Sequence, residues 1–386
     1  MDNIYFDHAA TTPLKKEVYG VMQPFYADQF ANPASSHLPG QKSAAALEDA
    51  RDKIASFLGA KRAEEVVFTA GGTEADNLAV KGAAMAKMSQ GKHIITSAIE
   101  HHAVLKSCEF LEKHLGFEIT YLDVDQEGFV DLVELENSIR KDTILISIMT
   151  ANNEIGTIQP IDKFAKLADE NNILFHTDAV QAAGQLEINV EKSGVDLLSI
   201  SAHKFNGPKG IGALYVRKGV ELVPQLSGGS QERKRRAGTV NIPAVVGMAR
   251  AAELTQRDLL AKKKKLTSLR DYFIDKIFSN FDNVKLNGPQ GVDRLPGNIN
   301  IAFKDIDGES ILFNLSLNDI AAASGSACAS GSLSVSHVLN AIDLDKSYAK
   351  GALRFSLGCS NTKEEIDFAV NKLIAIINRL KDLQKN

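Results

Sequence analysis

The stretch Ser-Ile-Ser-Ala-His-Lys-Phe-Asn-Gly-Pro-Lys-Gly-Ile-Gly, residues 199–212, joins two apolar runs, Val195–Ile200 and Ile211–Val216. The runs read as strands, and the Asn-Gly-Pro-Lys-Gly cluster turns the chain between them. Lys204 stands just past the end of the first strand. A lysine on a rigid loop can form a Schiff base with a carbonyl cofactor if its surroundings leave it neutral part of the time. Taken alone it would be an ordinary surface lysine in a turn.

Outward from this loop, strand-like runs at Val66–Thr69, His93–Ser97, Glu118–Leu122, Thr143–Met149 and Ile173–Thr177 alternate with helical stretches such as Glu74–Lys87, Ala103–Leu115 and Asp162–Asn171. This alternation predicts an α/β fold, a mostly parallel sheet covered by helices on both faces. Gly40–Leu58 adds a helix with Leu47, Ala50, Ile54, Phe57 and Leu58 on one face. After Pro243 a long helical pattern runs to about Phe278 and leads to a second, smaller region. That region carries a strand at Asn298–Phe303, a helix near Glu309–Leu315, a small-residue loop at Ala321–Ser334, a strand at Ala352–Leu357 and a final helix, Lys363–Leu383.

At 386 residues the chain is long enough for two domains. A net charge of −4 with 24% charged residues argues against nucleic acid or an anionic membrane as a direct partner. The run Lys262–Lys265 reads as a solvated helix face, and Arg233–Arg236 as solvated surface or the rim of an anion site. No apolar run reaches 18 residues and the first residues lack the pattern of a signal peptide, so a cytoplasmic protein is expected. Cys108, Cys328 and Cys359 include no Cys-x-x-Cys pair, which suggests neither a disulfide framework nor a metal site.

In an open α/β sheet the ligand crevice lies outside the carboxyl ends of the strands, so residues just after apolar runs are the candidates. Asp178 suits a protonated ring nitrogen, which makes a ring cofactor a better sink for carbanion charge. Gly71-Gly72-Thr73-Glu74 opens a helix behind a strand, where N–H groups and a hydroxyl can bind phosphate; Ser201 and His203 add donors. His101 could stack on a flat ring or move protons. Asn152-Asn153-Glu154 and Gln181 occupy further strand ends. Each alone is more often a turn or cap residue; their common edge makes them a set. Thirteen of the fourteen residues Ala321–Ser334 are Ala, Ser, Gly or Cys, which reads as a mobile loop with Cys328 as a swinging nucleophile. Cys108 and Cys359 read as small packed residues. Arg354, inside an apolar strand, needs an anionic partner: a substrate carboxylate or an internal salt bridge.

Together these motifs resemble the cysteine desulfurases of the NifS/IscS type, in the class V aminotransferase group of pyridoxal-phosphate enzymes. The resemblance covers nearly the whole chain: Tyr5–Pro13, Asn32–His37, Gly71–Asn77, Glu100–Leu105, Asn152–Gly156, His176–Gln181, Ser201–Gly212, Glu232–Thr239, Ser324–Ser330 and Arg354–Gly358. It implies a fold-type I transferase. Its large domain, residues 14–262, would carry a mostly parallel seven-stranded sheet; a smaller α+β domain, residues 1–13 and 263–386, would carry the cysteine loop.

It further implies pyridoxal 5'-phosphate bound through Lys204, with Asp178 at the ring nitrogen, Gln181 at the ring oxygen and His101 stacked on the ring. Gly72, Thr73, Ser201 and His203 would hold the phosphate, joined by Thr239 from the other subunit of a homodimer. Asn153 and Arg354 would hold the carboxylate of L-cysteine, and Cys328 would take the sulfur as a persulfide, releasing L-alanine. The sulfur would pass to an acceptor protein, an iron–sulfur scaffold or a tRNA-thiolating enzyme. Ser230 and Lys234 stand where many relatives have glycine, and the sequence stops at Asn386, short of the longer tail with which some relatives dock a scaffold. The alternatives are a related aminotransferase, which has no need of Cys328, a selenocysteine lyase, or a non-catalytic platform that binds a partner.

Overall fold

The apolar runs become strands of one seven-stranded sheet in the computed structural model, which describes residues 3–324 and 335–385. In chain order the strands are β1 (Ile4–Tyr5), β2 (Val66–Thr69), β3 (His93–Ser97), β4 (Glu118–Leu122), β5 (Thr143–Ser147), β6 (Leu174–Asp178), β7 (Leu197–Ser201) and β8 (Gly212–Val216). They continue as β9 (Val284–Leu286), β10 (Asn298–Phe303), β11 (Ile320–Ala321), β12 (Ala323–Ser324) and β13 (Ala352–Ser356). The large sheet has the order β2-β8-β7-β6-β5-β3-β4, and β8 alone runs antiparallel to its neighbours. Strands β2, β3, β5, β7 and β8 are buried at every residue, as helices on both faces require, whereas edge strand β4 exposes Glu118 and Tyr121.

The helix Gly72–Lys87 lies against β7 and β8 through Leu78 and through Ala75, Ala79 and Ala83, small side chains that bring its backbone close to the sheet. A 39-residue helix, Ile242–Asn280, starts where the Asn241 side chain accepts a hydrogen bond from the Ala244 amide and Pro243 occupies the first turn. Its first half packs Val245, Met248 and Ala252 into the core around the large sheet. Its second half packs Leu266, Leu269, Phe273 and Ile277 into another core, with Ile299, Phe355, Ile366 and Leu373. Truncating the fully buried Phe273 to Ala would cost about 3–5 kcal/mol.

This second core covers the sheet β12-β13-β10-β9. The N-terminus joins it: β1 pairs with β11, Ile4 and Phe6 are buried there, and Asp7 bridges to Ser356. The chain then crosses to the lysine loop, where Thr12 donates its hydroxyl to the His203 carbonyl at 2.7 Å and accepts from the Asn206 amide at 2.8 Å.

Several local expectations change. The strand within the run 143–149 ends at Ser147, which pairs with His176, and the Ile148 amide still bonds the His176 carbonyl beyond it. The small-residue window contributes short strands β11 and β12, and its remainder, residues 325–334 with Cys328, lies outside the described residues. Lys263, Lys264 and Lys265 are exposed, but Lys262 turns into a cavity. The arginine run is paired with the protein's own acceptors: Arg233 with Glu48 at 3.3 Å, Arg235 with the Glu64 carbonyl at 3.1 Å, and Arg236 with Glu74 at 2.8 Å. Lys234, one of the two departures from glycine, takes φ 67°, a left-handed conformation costing a lysine about 1–2 kcal/mol. No helix among the described residues is long and apolar enough to cross a membrane.

Candidate active site

Strand register gathers the expected residues at one edge of the large sheet. Asp178 closes β6 opposite Ser199, Ser201 closes β7 opposite Gly212, and Thr69 closes β2 opposite the same Gly212. A Cβ at Gly212 would lie 2.7 Å from the Gly71 carbonyl carbon, and one at Gly72 2.8 Å from Val180 Cγ2. The glycines therefore let the start of helix Gly72–Lys87 press against the strand ends, where its first amides lack intrahelical acceptors.

Lys204 ends a short 3₁₀ turn, and its Nζ donates to the carbonyls of Ala9 at 2.6 Å and Ala10 at 2.9 Å. Around it lies a cavity of about 290 Å3 lined by Gly72, Thr73, His101, Asn153, Asp178, Gln181, Ser201, His203, Lys204 and Arg354, together with Ala9, Ala10, Asp76, Met149 and Val180. Sequence reasoning missed this last group. Asp76 had left a signal, an acidic residue on the buried, alanine-rich face of a helix.

The Asp178 carboxylate is buried and accepts from the Val180 amide at 2.8 Å. Burial raises its pKa, while His101, the Val180 amide and Lys204 pull it back down. Asp76 lies beside it: ligand atoms of Asp76, His101 and Asp178 approach within 4.8 Å of one another. Burial holds the Asp76 carboxyl well above the ordinary range, helped by the Asp178 charge, so Asp178 is the natural anion of the two. His101 caps the helix His102–Leu115, its Nδ1 accepting from the Ala103 amide at 3.1 Å. Burial lowers its pKa, and with Nδ1 engaged as acceptor the neutral ring carries its proton on Nε2. His203 is pushed down to about 4, by burial first and then by Lys204 and Lys209.

Arg354, in the middle of β13, donates Nη2 to Asp7 at 2.9 Å and Nη1 to the Asn153 carbonyl at 3.3 Å, while its buried Nε has no partner among the described residues. It forms an internal salt bridge and also faces the cavity. Asn152 is structural: its amide donates to the Ile99 carbonyl and its oxygen accepts from the amides of Glu154 and Ile155. Glu154 accepts from Ser336 Oγ at 2.6 Å and is pushed up to about 7 by burial. Gln181 spends its amide on the Ala9 carbonyl at 2.9 Å.

Two expected residues stand apart. Thr239 lines a separate cavity of about 210 Å3 with Glu232 and Arg236, and Cys328 lies outside the described residues. The other thiols divide: Cys108 is fully buried and pushed up to about 12, but Cys359 is exposed, lining a third cavity with His8, Lys15 and Lys262, so it is not the packed residue expected. Burial lowers the Lys262 pKa there.

The main cavity fits pyridoxal phosphate. It combines a lysine amine, a buried carboxylate for a ring nitrogen, a neutral imidazole, and at one end a helix start flanked by the hydroxyls of Thr73 and Ser201. The unpartnered Nε of Arg354 leaves a donor for a carboxylate.

The sequence matches the family model "Aminotransferase class-V" over residues 4–368. It is 54% identical over 380 residues to the cysteine desulfurase IscS of Dictyoglomus turgidum, covering 98% of this chain and 96% of that protein. Among solved structures, a NifS-like protein superposes with a TM-score of 0.92 at 38% identity, covering 98% of this chain and all of that one. SspA in complex with cysteine gives 0.82 at 39% identity, covering 92% and 98%.

Proposed function

The chain belongs to the aminotransferase class-V family and is a pyridoxal-phosphate-dependent cysteine desulfurase, and we propose that it uses the residues around Lys204 to deliver the sulfur of L-cysteine to Cys328. The observation that carries the residue assignments is the cavity itself: ten residues scattered along the sequence from Gly72 to Arg354, most of them just past strand ends, line one space around Lys204.

Bound pyridoxal phosphate supplies an electrophilic carbonyl carbon and a ring that accepts an electron pair. Lys204 anchors it through Nζ and, once displaced, moves protons at that atom. Asp178 keeps a proton on the ring nitrogen. Gly72, Thr73, Ser201 and His203 hold the phosphate, joined by Thr239 of a second copy in a homodimer. Gln181 would serve the ring oxygen, and His101 would stack on the ring and offer Nε2 for proton movement. Arg354, with Asn153, orients the carboxylate of L-cysteine.

The Cys328 thiolate then attacks the substrate sulfur. An S–S bond forms, the C–S bond breaks, its electron pair returns to the β-carbon, and protonation there yields L-alanine and a Cys328 persulfide. Residues 14–262 form the cofactor domain in this reading, and residues 1–13 with 263–386 the domain that brings Cys328 to it. The cytoplasm is the proposed compartment, and an iron–sulfur scaffold or a tRNA-thiolating enzyme the proposed acceptor.

Replacing Cys328 with Ala tests the assignment. Cofactor absorbance should remain, and alanine formation from L-cysteine should fall to background; undiminished alanine release would sink it.

A further inference from the structure

We propose that Glu232 is a positioning residue for the cofactor site of a second copy of the chain, acting through Thr239; this rests on the homodimer reading of Thr239 given above. Glu232 is buried and accepts from Arg51 twice, Nη1 at 2.7 Å and Nη2 at 2.9 Å. Its Oε2 also accepts from the Phe68 amide at 2.9 Å, and Arg51 donates onward to the Val66 carbonyl at 2.8 Å. One carboxylate thus ties the segment to the helix Leu38–Leu58 and to β2, the strand that runs into Gly71-Gly72-Thr73.

The backbone at this anchor is strained. Glu232, Arg233 and Lys234 hold φ of 45°, 55° and 67° in succession, all left-handed and none glycine. Such residues persist only where their surroundings over-determine them. Arg233 and Lys234 are exposed, Arg233 reaching Glu48 at 3.3 Å, so the buried contacts that hold the turn are those of Glu232.

Beyond the strained turn, and beyond the bond from Arg235 to the Glu64 carbonyl, the segment is pinned twice more. Arg236 forks onto Glu74, Nε to Oε1 at 2.8 Å and Nη2 to Oε2 at 3.2 Å, and the Gly238 amide donates to Gln231 Oε1 at 3.1 Å. The next residue, Thr239, is exposed and does not line its own chain's Lys204 cavity. The arrangement fixes the backbone on either side of an exposed threonine that lies outside its own chain's Lys204 cavity. A hydroxyl that must meet a phosphate oxygen across an interface needs placement to about 0.5 Å, and the Glu232 clasp supplies it.

The test follows cofactor release from the holoenzyme, read as loss of bound-cofactor absorbance in the presence of an excess of an apo-protein trap. Thr239→Ala and Glu232→Gln are each expected to speed release about tenfold, the loss of one hydrogen bond to a charged group. The double variant should be no faster than either single one, because both changes remove the same contact. Where Glu232→Gln fails to fold around an unpaired Arg51, the neutral pair Arg51→Met with Glu232→Met is measured in its place, with and without Thr239→Ala. Rates that multiply in the double variant, or an unchanged rate in the Glu232 variants beside a faster Thr239→Ala, would overturn the positioning role alone. An unchanged rate in Thr239→Ala would overturn both this role and the reading of Thr239 beneath it.

Discussion

The Arg354 guanidinium and the Asp7 carboxylate pair at 2.9 Å, joining the centre of the small sheet to the same N-terminal segment whose Ala9 and Ala10 carbonyls seat Lys204. Asp7 engages Nη2 of Arg354, whose buried Nε has no partner among the described residues; in the proposed reaction this pairing orients the guanidinium that meets the substrate. Arg354→Lys, which loses the planar fork, is expected to raise KM for L-cysteine about 100-fold. Asp7→Asn should raise it about 3–10-fold with kcat little changed, since an ion pair becomes a weaker hydrogen bond from the guanidinium to a neutral amide oxygen. Steady-state alanine formation measures both, and an unaltered KM in Asp7→Asn would detach Asp7 from the site.

Borohydride reduction should trap the cofactor on the wild-type peptide containing Lys204 and nowhere on Lys204→Ala, with turnover down about 10⁴-fold or more. Peptide mass spectrometry decides it. A reduced adduct on another lysine would displace Lys204 from its role.

His176 lies fully buried between Ser147 Oγ, at 2.8 Å, and Ser199 Oγ, at 3.1 Å, and burial pushes its pKa down to about 3. Below pH about 6.5 the unfolded chain binds a proton that the folded chain refuses. Stability therefore falls as pH drops from 6.5 towards 3, by about 1.4 kcal/mol per pH unit for this group. His8 and His203, both pushed down to about 4 by burial, add losses of the same sign over a narrower window. His176→Gln should remove one proton from the slope of unfolding free energy between pH 6.5 and 4.5, as denaturant titrations at several pH values would read; an unchanged slope would contradict the burial argument.

Cys108 and Cys359 should react oppositely with iodoacetamide at pH 8. Cys359 is exposed, whereas Cys108 is buried with its pKa pushed up to about 12, so native labelling of Cys108 should be slower by about 100-fold or more. Mass mapping with and without denaturant separates the two, and equal labelling in the native state would refute the packing described around Cys108.

Much of this molecule was legible in the chain because its signals are local. Apolar runs of strand length between helical periods predict the large sheet, and position just after such a run marks Asp178, Ser201 and Lys204 as candidates for one edge. Asp76 escaped because its one signal, an acid on the alanine-rich face of a helix, does not by itself distinguish a solvated carboxyl from a buried one. Lys262 escaped for the converse reason: the run it shares with three exposed lysines is uniform in sequence but not around the helix. The arginine run read as free charge because its acceptors, Glu48, Glu64 and Glu74, lie more than 150 residues away.

By itself, then, the sequence determined the layered α/β architecture and the kind of chemistry at its strand ends, since hydrophobic period and turn composition act over a few residues. Tertiary structure alone decided what surrounds those groups. It set Lys204 on two carbonyls almost 200 positions earlier in the chain, placed the second carboxyl of Asp76 beside Asp178, and clasped Glu232 to Arg51 beneath a left-handed turn. Such contacts follow from how the two cores and the N-terminal segment close on one another, and no local period in the chain records them.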